Sequence, residues 1–72
     1  MLPLYSIAFV TAPDRKTADS LAENLVSRHL AACVNIIPGL SSVYWWEKQI
    51  QHSEELLLMI KTRTALMAEL TD

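Results

Sequence analysis

A single cysteine and a single glycine among 72 residues remove several kinds of protein at once. With Cys33 alone there is no intrachain disulfide and no paired-cysteine metal knuckle, and the natural setting is a reducing compartment. With Gly39 alone there is no glycine-rich cradle for a phosphate. An excess of positive charge is also missing: six Lys and Arg against eight Asp and Glu leave a net charge of −2. That excludes a basic patch for nucleic acid or an anionic membrane. No apolar run approaches the roughly 18 residues of a membrane span. Leu2 to Val10 is apolar but lacks a basic flank and contains Pro3, so it reads as a strand rather than a secretion signal. The expectation is a soluble cytoplasmic protein with neither nucleic-acid nor membrane partners.

What the chain does have is apolar content, 51% of its residues, which is too much for disorder. A domain of this size buries only about 60% of the surface its unfolded chain exposes. Set against the entropy of ordering the chain, such a core is close to break-even. With no disulfide available, self-association is the expected source of further stability.

Local patterns predict the elements. Leu4 to Thr11 is rich in β-branched and aromatic residues and is apolar at consecutive positions from Ile7 to Val10, which predicts a central strand covered on both faces. From Asp14 the period changes to about 3.6, with Ala18, Leu21, Ala22, Leu25 and Val26 on one stripe. One amphipathic helix from Pro13 to His29 follows, with Asp14 as its cap and Arg28 and His29 in its last turn. Ala32 to Trp46 then reads as one extended strand spanning roughly 50 Å at about 3.3 Å per residue. Pro38 and Gly39 break its ladder and mark a bend or bulge.

Beyond the break, Val43 to Trp46 is apolar at odd and even positions alike, so neither face is meant for water. An arm of that length is more than a small domain can cover, and another copy of the chain is the simplest cover. Glu47, Lys48 and Gln49 form a polar turn without the glycine of a tight two-residue hairpin. Gln51 to Glu55 is a polar arm leading into Leu56 to Ile60, a second central strand. Thr64 is placed to cap a second helix with Leu66 and Leu70 on one face. The order β-α-β-β-α predicts an α+β, ferredoxin-like (split βαβ) antiparallel sheet with helices on one face, lacking the closing strand.

Several segments in this order resemble the CutA divalent-cation tolerance family. They are Phe9-Val10-Thr11-Ala12-Pro13-Asp14, Leu30-Ala31-Ala32-Cys33-Val34-Asn35-Ile36-Ile37-Pro38-Gly39, Ser42-Val43-Tyr44-Trp45-Trp46, and Glu54 to Thr62. The resemblance covers nearly the whole chain and implies a single, incomplete CutA-like domain over residues 1–72. It implies a homotrimer in which the long hairpins of neighbouring subunits pair, with a role in tolerance to copper and other divalent cations. In animals the family is also associated with anchoring a membrane-bound esterase. It is not a recognised enzyme family.

Two departures from the family pattern bear on metal binding. The family continues with the rest of the second helix, a His-Pro-Tyr segment followed by an acidic residue, and a final strand and helix. Its best candidate metal-binding histidine therefore has no counterpart here. Val10 stands where some members carry a cysteine. An open Leu4 to Thr11 edge then predicts lower stability and solubility than in a relative that has the closing strand.

Candidate chemistry is sparse. Cys33 reads first as a small core hydrophobe, and it is also the one soft ligand for a metal such as Cu(I), provided symmetry or a distant residue adds partners. His29 lies near it in sequence. His52 beside Glu54 and Glu55 reads as a solvated hairpin face before it reads as a copper or zinc site. Tyr44, Trp45 and Trp46 read as anchors of an oligomer interface. No serine lies in a nucleophile turn and no catalytic residue is assigned. In the family, the position of Lys61 lies close to the inter-subunit cleft, which implies an anion contact or a structural ion pair. The residues themselves call for no cofactor, and copper or another divalent cation is the one the resemblance leaves open. A small trimeric scaffold or interaction module without a metal role is the alternative. An enzyme of unknown substrate is a third reading, with no motif behind it.

Overall fold

The computed structural model describes residues 4–71, with side chains through residue 69. Its elements are β1 (Tyr5–Ala12), α1 (Arg15–Ser27), β2 (Cys33–Trp46), β3 (Gln49–Arg63), a 3-10 turn (Thr64–Leu66) and α2 (Met67–Thr71). The three strands form one antiparallel sheet in the order β1-β3-β2.

Helix α1 starts where Asp14 accepts a hydrogen bond from the Thr17 N–H at 2.7 Å, satisfying one of the unpaired donors of the first turn. It ends at Ser27, short of the expected His29, because His29 adopts φ +59°. The Leu30 N–H then reaches back to the Leu25 carbonyl at 2.9 Å, and the His29 N–H to that of Val26 at 3.0 Å. This is a Schellman closure, which usually carries glycine at the left-handed position. Arg28 and His29 therefore lie at and beyond the cap rather than inside the last turn. Arg28 turns back to Asn24, Nη1 to Oδ1 at 3.4 Å.

The core lies between α1 and one face of the sheet. Ala18, Ala22 and Leu25 from the helix pack with Ala12, Ala31, Leu58 and Ile60. The alanines let the helix approach the strands closely. Rows across the sheet run Val10, Leu58, Ile36 and Ala8, Ile60, Val34. Leu58 and Thr62 are the largest fully buried side chains, and the Thr62 hydroxyl is satisfied by the Leu30 carbonyl at 2.5 Å.

Strand β3 is central, as expected for Leu56 to Ile60. Strand β1 is not: it borders the sheet, with Tyr5, Ile7 and Phe9 between 52% and 66% exposed. Its apolar run encodes two apolar faces, one under α1 and one open, and such a run does not distinguish a central strand from an edge.

The Pro38–Gly39 break is a bulge. Ile37 pairs with Leu57 and Leu40 with Glu55, so β2 carries one residue more than its partner, and Gly39 takes φ +83°, a left-handed conformation that glycine adopts without penalty. The hairpin closes in two residues rather than three. Trp46 pairs with Gln49, leaving Glu47 at φ +49° and Lys48 at φ +63°, the signature of a type I′ turn made without glycine.

After β3, Thr64 does not cap a helix through its side chain. Its hydroxyl meets that of Ser6 at 2.7 Å and its N–H donates to the Leu4 carbonyl at 3.0 Å, tying the chain back to the start of β1. The side chain of Leu70, expected to share a face with Leu66, lies outside the described residues.

Candidate functional site

The sheet has a covered face and an open one. Side chains alternate along a strand, and the registers place Tyr5, Ile7 and Phe9 of β1, Leu57, Met59 and Lys61 of β3, and Cys33, Asn35 and Ile37 of β2 on the face away from α1. No element among the described residues covers it. Phe9 is 63% and Ile37 43% exposed. The odd-numbered alternation in β1 carries this signal, and the sequence reading passed over it by treating both faces of that strand as filled.

The bulge decides how the arm joins this surface. Before it, the even-numbered residues Val34 and Ile36 point toward α1. After it the parity reverses, because one residue has been added on β2 alone. Tyr44 and Trp46, opposite Gln51 and Gln49, thus share the open face with Ile37 and Asn35, while Val43 and Trp45, opposite His52 and Ile50, lie on the other side. All four are exposed, Trp45 at 69%. At the base of the arm the Glu55 carboxylate accepts from Ser42 and Ser53, each at 3.2 Å, so its charge is satisfied within the chain.

Cys33 is not a core residue, contrary to the first expectation from its type. It is exposed on the open face, opposite Lys61, and its thiol makes a long contact of 3.8 Å with the Asn35 amide oxygen. The reason is positional: Cys33 has the parity of the open face, and only its neighbour Val34 points inward. Lys61 is exposed and makes no ion pair among the described residues. His52 and Glu54 are exposed on the α1 side of the arm, whereas Glu55 points to the other side with its serines. No three His, Cys, Asp or Glu side chains are grouped to hold a metal among the described residues. No helix among them is long and apolar enough to cross a membrane.

Comparison with known proteins gives a consistent result. The family described as CutA1 divalent ion tolerance protein matches residues 6–72. Protein CutA of Homo sapiens is 48% identical over 67 residues, covering 93% of this chain and 37% of that protein. The divalent-cation tolerance protein CutA of Thermus thermophilus is 41% identical over 66 residues, covering 92% and 64%. Among solved structures, CutA1 from Oryza sativa superimposes with a TM-score of 0.90 at 47% identity, covering 94% of this chain and 62% of that one. The chain thus spans just over a third of the rice and human proteins and under two thirds of the Thermus protein. The names of the family and of the Thermus protein refer to divalent-ion tolerance.

Proposed function

The chain belongs to the CutA1 divalent ion tolerance family, and on that basis we propose that it acts in the response to divalent cations, copper among them, as a cytoplasmic homotrimer. The observation that carries the assembly is the pair of uncovered apolar surfaces, the open sheet face and the two-sided aromatic arm. Burying Tyr44, Trp45 and Trp46 against neighbouring copies removes apolar area from water at about 25 cal/mol per Å², and they stand exposed among the described residues. Aromatic anchors of this kind dominate the energetics of protein interfaces.

The metal role is looser than the assembly. One subunit does not fit a resident metal, since Cys33 faces Asn35 and Lys61 rather than further ligands. A soft cation at Cys33 therefore needs donors from other copies, and Lys61 beside it serves an ion pair across the same interface or a passing anion. A second reading is a small trimeric scaffold or interaction module with no metal role, whose exposed sheet face and arm recruit partners.

Sedimentation velocity tests the assembly: the proposal expects a trimer at micromolar concentration, and a stable monomer removes it. Copper titration followed by Trp fluorescence separates the two readings. Saturable quenching at a fixed low stoichiometry supports the metal role, and unsaturable quenching leaves the scaffold.

A further inference from the structure

We infer that Glu55 is the positioning residue of the aromatic arm. Its carboxylate, shared between the hydroxyls of Ser42 and Ser53, sets the direction in which the arm leaves the sheet and hence the surface that the arm offers to other copies of the chain. The consequence for assembly rests on the proposed trimer, whereas the clasp lies within one chain.

The root of the arm is a break in the ladder. Strand β2 carries an extra residue between Ile37 and Leu40. Of the two residues in the break, Pro38 has no N–H to give and Gly39 stands at φ +83°. A bulge bends its strand and raises the local twist. A Cβ at Gly39 would meet nothing within 4 Å, so packing at that position does not hold the bend. Beyond the break the arm is a two-stranded ribbon, because β1 ends at Ala12, opposite Leu56, and β3 has β2 alone beside it from Gln49 to Glu55. A two-stranded ribbon without further cover is marginal in water.

Glu55 is the residue of β3 at which pairing resumes after the break, opposite Leu40. The Ser42 hydroxyl donates to its Oε2 and the Ser53 hydroxyl to its Oε1, each at 3.2 Å. Ser42 and Ser53 face one another two pairs further out, and all three residues are partly buried. The Ser42 bond is the one side-chain hydrogen bond that joins β2 to β3 among the described residues. The clasp sits on the open face, between Ile37 and Leu57 on the sheet side and Tyr44 and Gln51 on the arm side. A carboxylate without partners would be drawn away from this apolar surface into water. Two donors hold it at the junction. Parity puts Tyr44 and Trp46 on the same side as Ile37, and the bend decides whether arm and sheet then form one continuous surface or two that diverge.

The test is a double-mutant cycle on the 72-residue chain, read by sedimentation equilibrium and by amide hydrogen exchange. Glu55→Ala and the pair Ser42→Ala with Ser53→Ala are each expected to lower the association constant by about ten-fold. Combining them is expected to cost no more than either alone, since both remove the same clasp. Glu55→Gln is expected to restore most of the loss, because its amide oxygen accepts from one hydroxyl and its N–H donates to the other. A loss in Glu55→Ala with parental association in the serine pair means that Glu55 touches the neighbouring copy directly, and it overturns the inference. Additive losses, or no loss in either, overturn it as well. A parent that sediments as a monomer removes the assembly reading by itself, and the clasp is then read from exchange alone. About ten-fold faster exchange at residues 41–46 and 50–53 in both alanine variants, with Leu58 and Ile60 unchanged, supports a local clasp. Parental rates in the arm, or equal acceleration at Leu58 and Ile60, overturn it.

Discussion

The hydroxyl of Thr62 donates to the carbonyl of Leu30 at 2.5 Å, across 32 positions of sequence. It is the one buried polar side chain among the described residues, 1% exposed, and it fastens the end of β3 to the loop that leaves α1. Next to it the Ala32 N–H donates to the Lys61 carbonyl at 2.9 Å, so the helix exit is held by side chain and backbone together.

Thr62→Val keeps the shape and removes the hydroxyl, leaving the Leu30 carbonyl without this partner. The expected cost is about 1–3 kcal/mol, read as a lower urea midpoint with an unchanged slope. A variant as stable as the parent shows that water takes over the carbonyl.

Asp14 supplies a pH dependence. The Thr17 backbone N–H, and secondarily its side chain, hold the Asp14 carboxyl below its ordinary value of 3.8. A folded-state value lower than the unfolded one stabilises the fold at pH above the unfolded value, and that stabilisation is lost as pH falls through the folded value. Asp14→Asn keeps a capping oxygen without the charge. Its melting temperature is expected to fall less than the parent's as pH is lowered from 5 to about 3. Parallel melting curves for the two across that window contradict the cap's electrostatic share.

The turn between β2 and β3 holds Glu47 and Lys48 at positive φ, a conformation that costs an L-residue roughly 1 kcal/mol. Lys48→Gly is expected to stabilise the hairpin by about 0.5–1 kcal/mol, seen as a higher melting temperature with assembly unchanged. At the bulge the sign reverses. Gly39 has open space where a side chain would begin, so Gly39→Ala meets no clash, yet at φ +83° it is expected to destabilise by about 1 kcal/mol. Equal stability in that variant means that the bulge relaxes to another geometry.

Trp46→Ser removes an exposed aromatic from the arm without touching the core around Leu58. In the proposed assembly it is expected to lower the association constant by at least about ten-fold, since truncating an interface anchor costs about 2 kcal/mol or more. The sedimentation profile checks this, and an unchanged profile places the interface elsewhere.

Much of this architecture was legible in local pattern. Ala18, Ala22 and Leu25 announced one helical stripe, Pro38 and Gly39 announced the bulge, and Leu56 to Ile60 announced a buried strand. The left-handed end of α1 was not legible, because His29 occupies a position that glycine usually marks. The tight turn at Glu47 and Lys48 was hidden for the same reason. Of the candidate site, the aromatic arm was visible from Val43 to Trp46, but its continuity with the Ile7, Phe9 and Ile37 surface depends on a parity reversal that only pairing reveals.

By itself the amino-acid order determined which segments are helical or extended, where the long strand breaks, and that the arm carries apolar groups on both sides. These follow from periodicity and backbone preference, which belong to a single segment. Tertiary structure alone decided that Cys33 faces outward opposite Lys61 and that Tyr44 and Trp46 join the open face. Those outcomes depend on which strand arrives beside which and in what register, and no segment carries that information alone.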